Sequence, residues 1–115
     1  MMKSILIVDD NDKLRLIFKL MLKDYEVVEA QNGKVALEIV RKRKFNLVLM
    51  DILMPEMNGI IATQKILEIR PNLNILAITA YISKANEILK AGAKEVLKKP
   101  IRKQILLQKV EEHVN

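Results

Sequence analysis

The stretch Leu47-Val48-Leu49-Met50-Asp51-Ile52-Leu53-Met54-Pro55-Glu56-Met57-Asn58-Gly59 decides the fold. Four apolar residues run without a break and then meet an acid. A continuous apolar run, with no alternation of inward and outward residues, is what a strand needs when both faces of its sheet are covered. Residues 59–70 carry a helical pattern, so the stretch reads as strand, acidic turn, helix. The same rhythm extends in both directions. Ile5-Leu6-Ile7-Val8 and Ile75-Leu76-Ala77-Ile78 are strong apolar runs, and Glu26–Ala30 and Glu95–Lys98 are weaker ones. Residues 12–23, 34–43, 83–91 and 102–114 also read as helices. In the first of these, Leu14, Ile17, Phe18, Met21 and Leu22 match the spacing of one helix face. Asn32-Gly33 and Gly92 mark turns. Pro71 and Pro100 fall where one helix should end and another begin. The chain is therefore expected to be α/β: five strand–helix units forming a doubly wound parallel sheet with helices on both faces.

Composition narrows the chemistry. At 115 residues the chain has the mass of one domain, expected over 1–115, and its 50% hydrophobic content suffices for a core. The absence of Cys excludes disulfide scaffolds, zinc–thiolate sites and thiol nucleophiles. The single His, His113, argues against histidine triads and multi-histidine metal sites. Three scattered glycines form no phosphate-binding loop. No apolar run approaches the ~20 residues needed to span a bilayer, and no targeting segment is visible. A cytoplasmic location with no membrane partner is expected.

The residues at the end of each strand carry the chemistry. The first strand ends in Asp9-Asp10, the third in Asp51, the fourth in Thr79 and the fifth in Lys99-Pro100. In an open α/β sheet, ligands bind beyond the carboxyl ends of the strands, where strand order reverses. With strand order 2-1-3-4-5, Asp9, Asp10 and Asp51 converge there. Crowded carboxylates repel and rise in pKa unless a cation compensates. A hard divalent ion with oxygen ligands, Mg²⁺ first, is the natural compensation. Lys99 adds a fixed positive charge and Thr79 a hydroxyl, a set suited to an anionic phosphoryl group. An Asp carboxylate can itself be the nucleophile. The plainer reading of any one Asp after a strand is a helix N-cap. The complete set, each member at its own strand end, is far harder to reach by chance.

These residues also carry a resemblance. Val8-Asp9-Asp10-Asn11, Met50-Asp51 through Asn58-Gly59, Ile78-Thr79-Ala80-Tyr81 and Lys98-Lys99-Pro100 resemble the receiver domain of two-component response regulators, over residues 3 to about 114. The resemblance implies a flavodoxin-like (βα)5 fold. It implies Asp51 as phospho-acceptor, and Mg²⁺ held by Asp9, Asp10, Asp51 and the backbone carbonyl of Leu53. Thr79 becomes the switch hydroxyl, Lys99 the contact to a phosphoryl oxygen, and Pro100 a cis-proline. The donor would be a sensor histidine kinase or a histidine phosphotransfer protein, docking on helix 1 and the loop after strand 5. Such a domain catalyses only its own phosphorylation and dephosphorylation and is not otherwise an enzyme. Two rivals stand beside this reading. A phosphatase with an Asp nucleophile would need a cap insertion that no segment supplies. A degenerate receiver-like interaction module would usually have lost an acid or the Lys, and all are present.

The sequence departs from the family in places. Val96 stands where the switch aromatic is usual, so a muted change on the helix 4–strand 5–helix 5 face is expected. Thr79 to Gly92 is short for the family, so helix 4 is expected to be truncated or shifted. Leu53 and Tyr81 occupy the positions that tune phosphoryl lifetime; both are bulky, and slow self-dephosphorylation is expected. Lys94 and Ile105 replace what look like acidic dimer positions, so a monomer or weak dimer is expected.

Surface residues suggest partners. Lys and Arg number 20 against 14 Asp and Glu, a formal charge of +6. Eight cations against four acids in residues 82–115 hold most of it, and an acidic output protein fits that segment. No DNA-reading element is appended. Arg41-Lys42-Arg43-Lys44 reads first as a solvated helix C-terminus, where cations favour the macrodipole. Leu16 and Leu20, one turn apart and off the core stripe of helix 1, are a candidate docking patch for a partner helix, together with Pro100 and Ile101.

Overall fold

The strands sort their side chains by parity, and both sets are buried. The computed structural model of the protein describes residues 2–115; Met1, the first residue of the expected 1–115 unit, lies outside the described residues. The elements are β1 (Ser4–Val8), α1 (Asp12–Met21), β2 (Glu26–Ala30), α2 (Gly33–Lys42), β3 (Leu47–Met50), α3 (Gly59–Ile69) and β4 (Asn74–Thr79), then a 3-10 turn (Ile82–Lys84), α4 (Ala85–Ala91), β5 (Glu95–Lys98) and α5 (Lys103–His113). The strands form one parallel sheet in the order β2-β1-β3-β4-β5, as expected.

Leu6, Val8, Val48, Met50, Ile75 and Ala77 face α2, α3 and α4, packing with Ala36, Val40, Ala62, Ile66 and Ile88. Their neighbours Ile5, Ile7, Leu47, Leu49, Leu76 and Ile78 face α1 and α5, packing with Phe18, Leu22, Leu106 and Val110. Successive strand residues point to opposite faces, so an unbroken apolar run is required for two such layers. The register pairs Val8 with Met50 and Met50 with Ala77, so the three central strands run level with one another. The residues just past Val8 and Met50 must then emerge side by side.

Helices α1, α2 and α3 start on side-chain caps that hydrophobic spacing alone does not single out. Asn11 Oδ1 accepts from Leu14 N at 3.0 Å, Asn32 Oδ1 from Val35 N at 2.9 Å, and Asn58 Oδ1 from Ile60 N and Ile61 N at 2.9 and 3.0 Å. Each satisfies amides that have no partner inside the helix. The acids at the strand ends are thereby relieved of capping.

Three expectations need correction. Ile17 fits the core face of α1 by its spacing but is 45% exposed. The core-facing stripe is buried Phe18 and Leu22 with partly buried Leu14 and Met21, while Ile17 and Leu20 are exposed. Residues 83–91 are not one α-helix. The segment opens as the 3-10 turn and only Ala85–Ala91 is α-helical, so α4 is short, as expected; neither Tyr81 nor Lys84 supplies a side-chain cap. The first helix stops at Met21 rather than residue 23, where the Leu22 cap amide closes back on the Phe18 carbonyl.

Gly59 fixes how α3 meets the end of β3. Its amide donates to the Ile52 carbonyl at 2.7 Å, and a Cβ built on it would lie 1.9 Å from the Asp51 carbonyl oxygen. That obstacle is backbone, which cannot step aside. Gly59→Ala is therefore expected to lower stability by about 2–3 kcal/mol, read as a lower urea midpoint; an unchanged midpoint would refute the close packing.

Candidate functional site

Beyond the level strand ends, Asp9 and Asp51 emerge buried, at 2% and 8% exposure, while Asp10 is exposed. The three carboxylates each offer an oxygen within 4.8 Å of the others. The Asp51 amide donates to the Val8 carbonyl at 2.9 Å, which continues the β1–β3 ladder into the site. Lys99 reaches in from the end of β5, its Nζ 2.6 Å from Asp9 Oδ2 and 3.5 Å from Asp51 Oδ2. Thr79, fully buried, accepts from the Tyr81 amide at its hydroxyl at 2.9 Å. Its carbonyl accepts from the Lys99 amide at 2.9 Å, so hydroxyl and ammonium come from adjoining strand ends. Lys99-Pro100 is a cis peptide, as the resemblance implied.

Electrostatics single out Asp51. Burial, and after it the charge of Asp9, push its carboxyl up to about 6. Lys99 and the Ile52 amide, which donates to Oδ1 at 2.9 Å, pull the other way. A buried carboxylate with one free oxygen and a nearby ammonium can act as a nucleophile toward an anion. Three carboxylate oxygens facing one space are the donor chemistry a hard divalent cation takes. The residues present therefore fit a magnesium-type ion, and the positive charge it brings would offset the repulsion that Lys99 only partly cancels.

The capping reading of these acids is overturned, since Asn11 and Asn58 cap α1 and α3. Leu53 lies in the loop after β3 with its side chain 43% exposed. Leu16 and Leu20 are 53% and 65% exposed on α1. Pro100 is exposed, and Ile101 is half-buried against the α1–α5 side of the core. Tyr81 is exposed, and Val96 is half-buried against the opposite layer. One contributor escapes sequence reasoning. Arg15 on α1 donates from Nη1 to the Asp9 carbonyl at 2.6 Å and from Nε to Glu29 at 3.0 Å, and pairs with Asp12. It holds the end of β1 where Asp9 turns into the pocket. Its spacing from Asp12, three residues along one helix, was the available signal.

Comparison with known proteins agrees with this geometry. The family model described as response regulator receiver domain matches residues 5–111. The chain belongs to the response regulator receiver family. Among curated relatives, the chemotaxis protein CheY of Thermotoga maritima is 43% identical over 105 residues, covering 87% of this chain and 88% of that protein. The transcriptional regulatory protein ZraR of Escherichia coli O157:H7 is 41% identical over 85% of this chain, which spans only 23% of that longer regulator. Among solved structures, the response regulator TrrA of Thermotoga maritima, in complex with Mg(2+)-BeF, superposes with a TM-score of 0.90 at 31% identity, covering 96% of this chain and 98% of that one. Receiver domains signal through a phosphorylatable aspartate, bind Mg²⁺ in an acidic pocket and interact with histidine kinases or phosphotransfer proteins. This receiver is a signalling domain, and Asp9, Asp10 and Asp51 form an aspartate cluster in it. No helix among the described residues is long and apolar enough to cross a membrane.

The raised Asp51 pKa sets a stability test in chelator. The folded carboxyl holds its proton more tightly than the unfolded one. Charging it therefore costs stability progressively as pH rises from about 4 to about 6, and the cost is constant above that. With solvent screening allowed for, Asp51→Asn is expected to stabilise the metal-free protein by about 1–2 kcal/mol near neutral pH. The advantage should shrink toward about pH 4. Urea midpoints across that range check it, and a less stable variant near neutral pH contradicts it.

Proposed function

We propose that Asp51 takes the phosphoryl group, from a sensor histidine kinase or histidine phosphotransfer protein, in a Mg²⁺-dependent reaction, and that the phosphorylated receiver signals through protein–protein contacts. The observation that carries the assignment is the placement of Lys99 Nζ between Asp9 and Asp51, at 2.6 and 3.5 Å, with Thr79 on the adjoining strand end. Asp9, Asp10, Asp51 and the Leu53 carbonyl would hold the ion. When bound, it supplies positive charge to the phosphoryl oxygens and neutralises the acidic cluster.

The chain's own residues perform the rest. An Asp51 carboxylate oxygen attacks phosphorus as the bond from phosphorus to the donor's histidine nitrogen breaks, and the electron pair leaves with that nitrogen. Ile52 N–H already holds Oδ1, which directs Oδ2 toward the incoming group. Lys99, on the Oδ2 side, can then pair with a phosphoryl oxygen. The Thr79 hydroxyl accepts from Tyr81 N and keeps its own proton to donate to a second phosphoryl oxygen.

Docking is proposed on α1 and the loop before α5. Leu16 and Leu20 are exposed one turn apart, and Ile17, also exposed, widens the same strip. Pro100 and Ile101 lie at the start of the other helix covering that face of the sheet. A helix of the phosphodonor protein fits such an apolar strip. An acidic output protein is proposed for the α4–β5–α5 side, where Lys90, Lys94, Lys98, Arg102 and Lys103 are exposed.

Intact mass after incubation with acetyl phosphate tests the chemistry. A gain of one phosphoryl group is expected with Mg²⁺, lost in chelator and in Asp51→Asn. No gain in folded wild-type protein would favour the degenerate interaction module. For docking, Leu16→Ala combined with Leu20→Ala is expected to slow transfer from the protein donor by about tenfold while leaving acetyl phosphate labelling unchanged. Equal slowing of both would refute the docking role.

A further inference from the structure

Arg15 is the cation of α1 that turns inward. Its side chain is 11% exposed, against 53% for Lys19 one turn along the same helix. Nε donates to Glu29 on β2 at 3.0 Å, Nη2 pairs with Asp12 at the start of α1, and Nη1 donates to the Asp9 carbonyl at 2.6 Å. A planar guanidinium with all three of its nitrogens engaged is held in one orientation. It forms no ion pair with Asp9, Asp10 or Asp51, so it reaches the acidic pocket only through the main chain.

The bond to Asp9 falls where the sheet runs out. The Asp9 amide still belongs to the ladder and donates to the Ala30 carbonyl at 3.1 Å, but β2 ends at Ala30. The Asp9 carbonyl is taken up by Arg15 instead. That carbonyl and the Asp10 amide belong to one planar peptide unit. Fixing the direction of the carbonyl fixes the tilt of the whole unit, and with it the point from which the exposed Asp10 side chain departs. The Asp9 carboxylate is set separately, by the Asn11 amide on Oδ1 at 2.9 Å and Lys99 on Oδ2 at 2.6 Å.

We infer that Arg15 is a positioning residue for the divalent-cation site: through the Asp9–Asp10 peptide it holds two of the three carboxylates at the spacing a small ion requires. The inference rests on the proposed reading of Asp9, Asp10 and Asp51 as magnesium ligands. Without the guanidinium, the Asp9 carbonyl turns to water and the peptide unit samples several tilts, so binding the ion must also order Asp10. Mg²⁺ demands near-ideal octahedral geometry, whereas Ca²⁺ tolerates irregular coordination. Loss of Arg15 therefore penalises the smaller ion more.

The test follows backbone resonances of the full chain during Mg²⁺ and Ca²⁺ titrations of wild type, Arg15→Met, Arg15→Lys and Glu29→Ala. In chelator, Arg15→Met is expected to move the Asp9 carbonyl carbon and Asp10 amide resonances, while those of Asp51 and Ile52 stay in place. Its Kd for Mg²⁺ is expected to rise about tenfold, the usual effect of losing a group that orients a metal ligand. Its Kd for Ca²⁺ should rise by about threefold at most. Arg15→Lys, with one ammonium in place of a three-donor fork, should fall between wild type and Arg15→Met. Glu29→Ala removes one anchor of the guanidinium and should raise the Mg²⁺ Kd by about threefold, the worth of a partly exposed ion pair. If Arg15→Met does not fold, Glu29→Ala decides, and an unchanged Mg²⁺ Kd there overturns the inference. So does a folded Arg15→Met that keeps the wild-type Mg²⁺ Kd, or that loses Mg²⁺ and Ca²⁺ equally, as a purely structural residue would. A wild-type protein without a saturable Mg²⁺ response overturns the magnesium reading itself, and this inference with it.

Discussion

The ammonium of Lys99 stands against two buried carboxylates, Asp9 and Asp51, at the ends of adjacent parallel strands. Like charges so close and so poorly hydrated repel strongly, and one ammonium cannot cancel both. Burial and, after it, the charge of Asp9 raise the pKa of Asp51, and Lys99 offsets them only in part. It is also what makes the pocket reactive, because a site short of positive charge favours whatever brings more. The rest of the molecule holds this arrangement still. The β1–β3 ladder places the two acids, Lys99 is tied to the Thr79 carbonyl through its own amide, and Arg15 grips the carbonyl of Asp9.

The division of labour between Asp and Asn at the strand ends arises from the same constraint. A carboxylate spent on capping a helix has its oxygens turned toward backbone amides. Asn11 and Asn58 take that task with neutral amides. Asp9 and Asp51 each give only one oxygen to a local amide, from Asn11 and Ile52 respectively, and keep the other toward Lys99. Gly59 extends the economy of space, because α3 can begin against the Asp51 carbonyl only where no Cβ intervenes.

Much of this was legible before the fold was known. Uninterrupted runs such as Leu47–Met50 announce a two-sided sheet because only a strand covered on both faces can be apolar at every position. Acids and a lysine placed just after such runs announce a shared edge. Other features were not legible. Ile17 fits the helical period of α1 as well as Met21 does, and only the direction from which α5 and the sheet approach leaves it in solvent. Arg15 stands three residues from Asp12, but its contacts to Asp9 and Glu29 join the ends of two strands and exist only in the fold. The 3-10 start of α4 follows directly on the bond from the Tyr81 amide to the Thr79 hydroxyl, a contact that residue spacing does not show.

The sequence by itself determined the layered parallel sheet, the membership of the acidic edge and the identity of its counter-ion, because periodicity and charge are properties of the chain. Tertiary structure alone decided which carboxylate oxygens stay free and which cation closes on which acid. Those outcomes depend on distances between residues far apart in the chain, such as the 90 positions that separate Asp9 from Lys99. Only packing sets such distances.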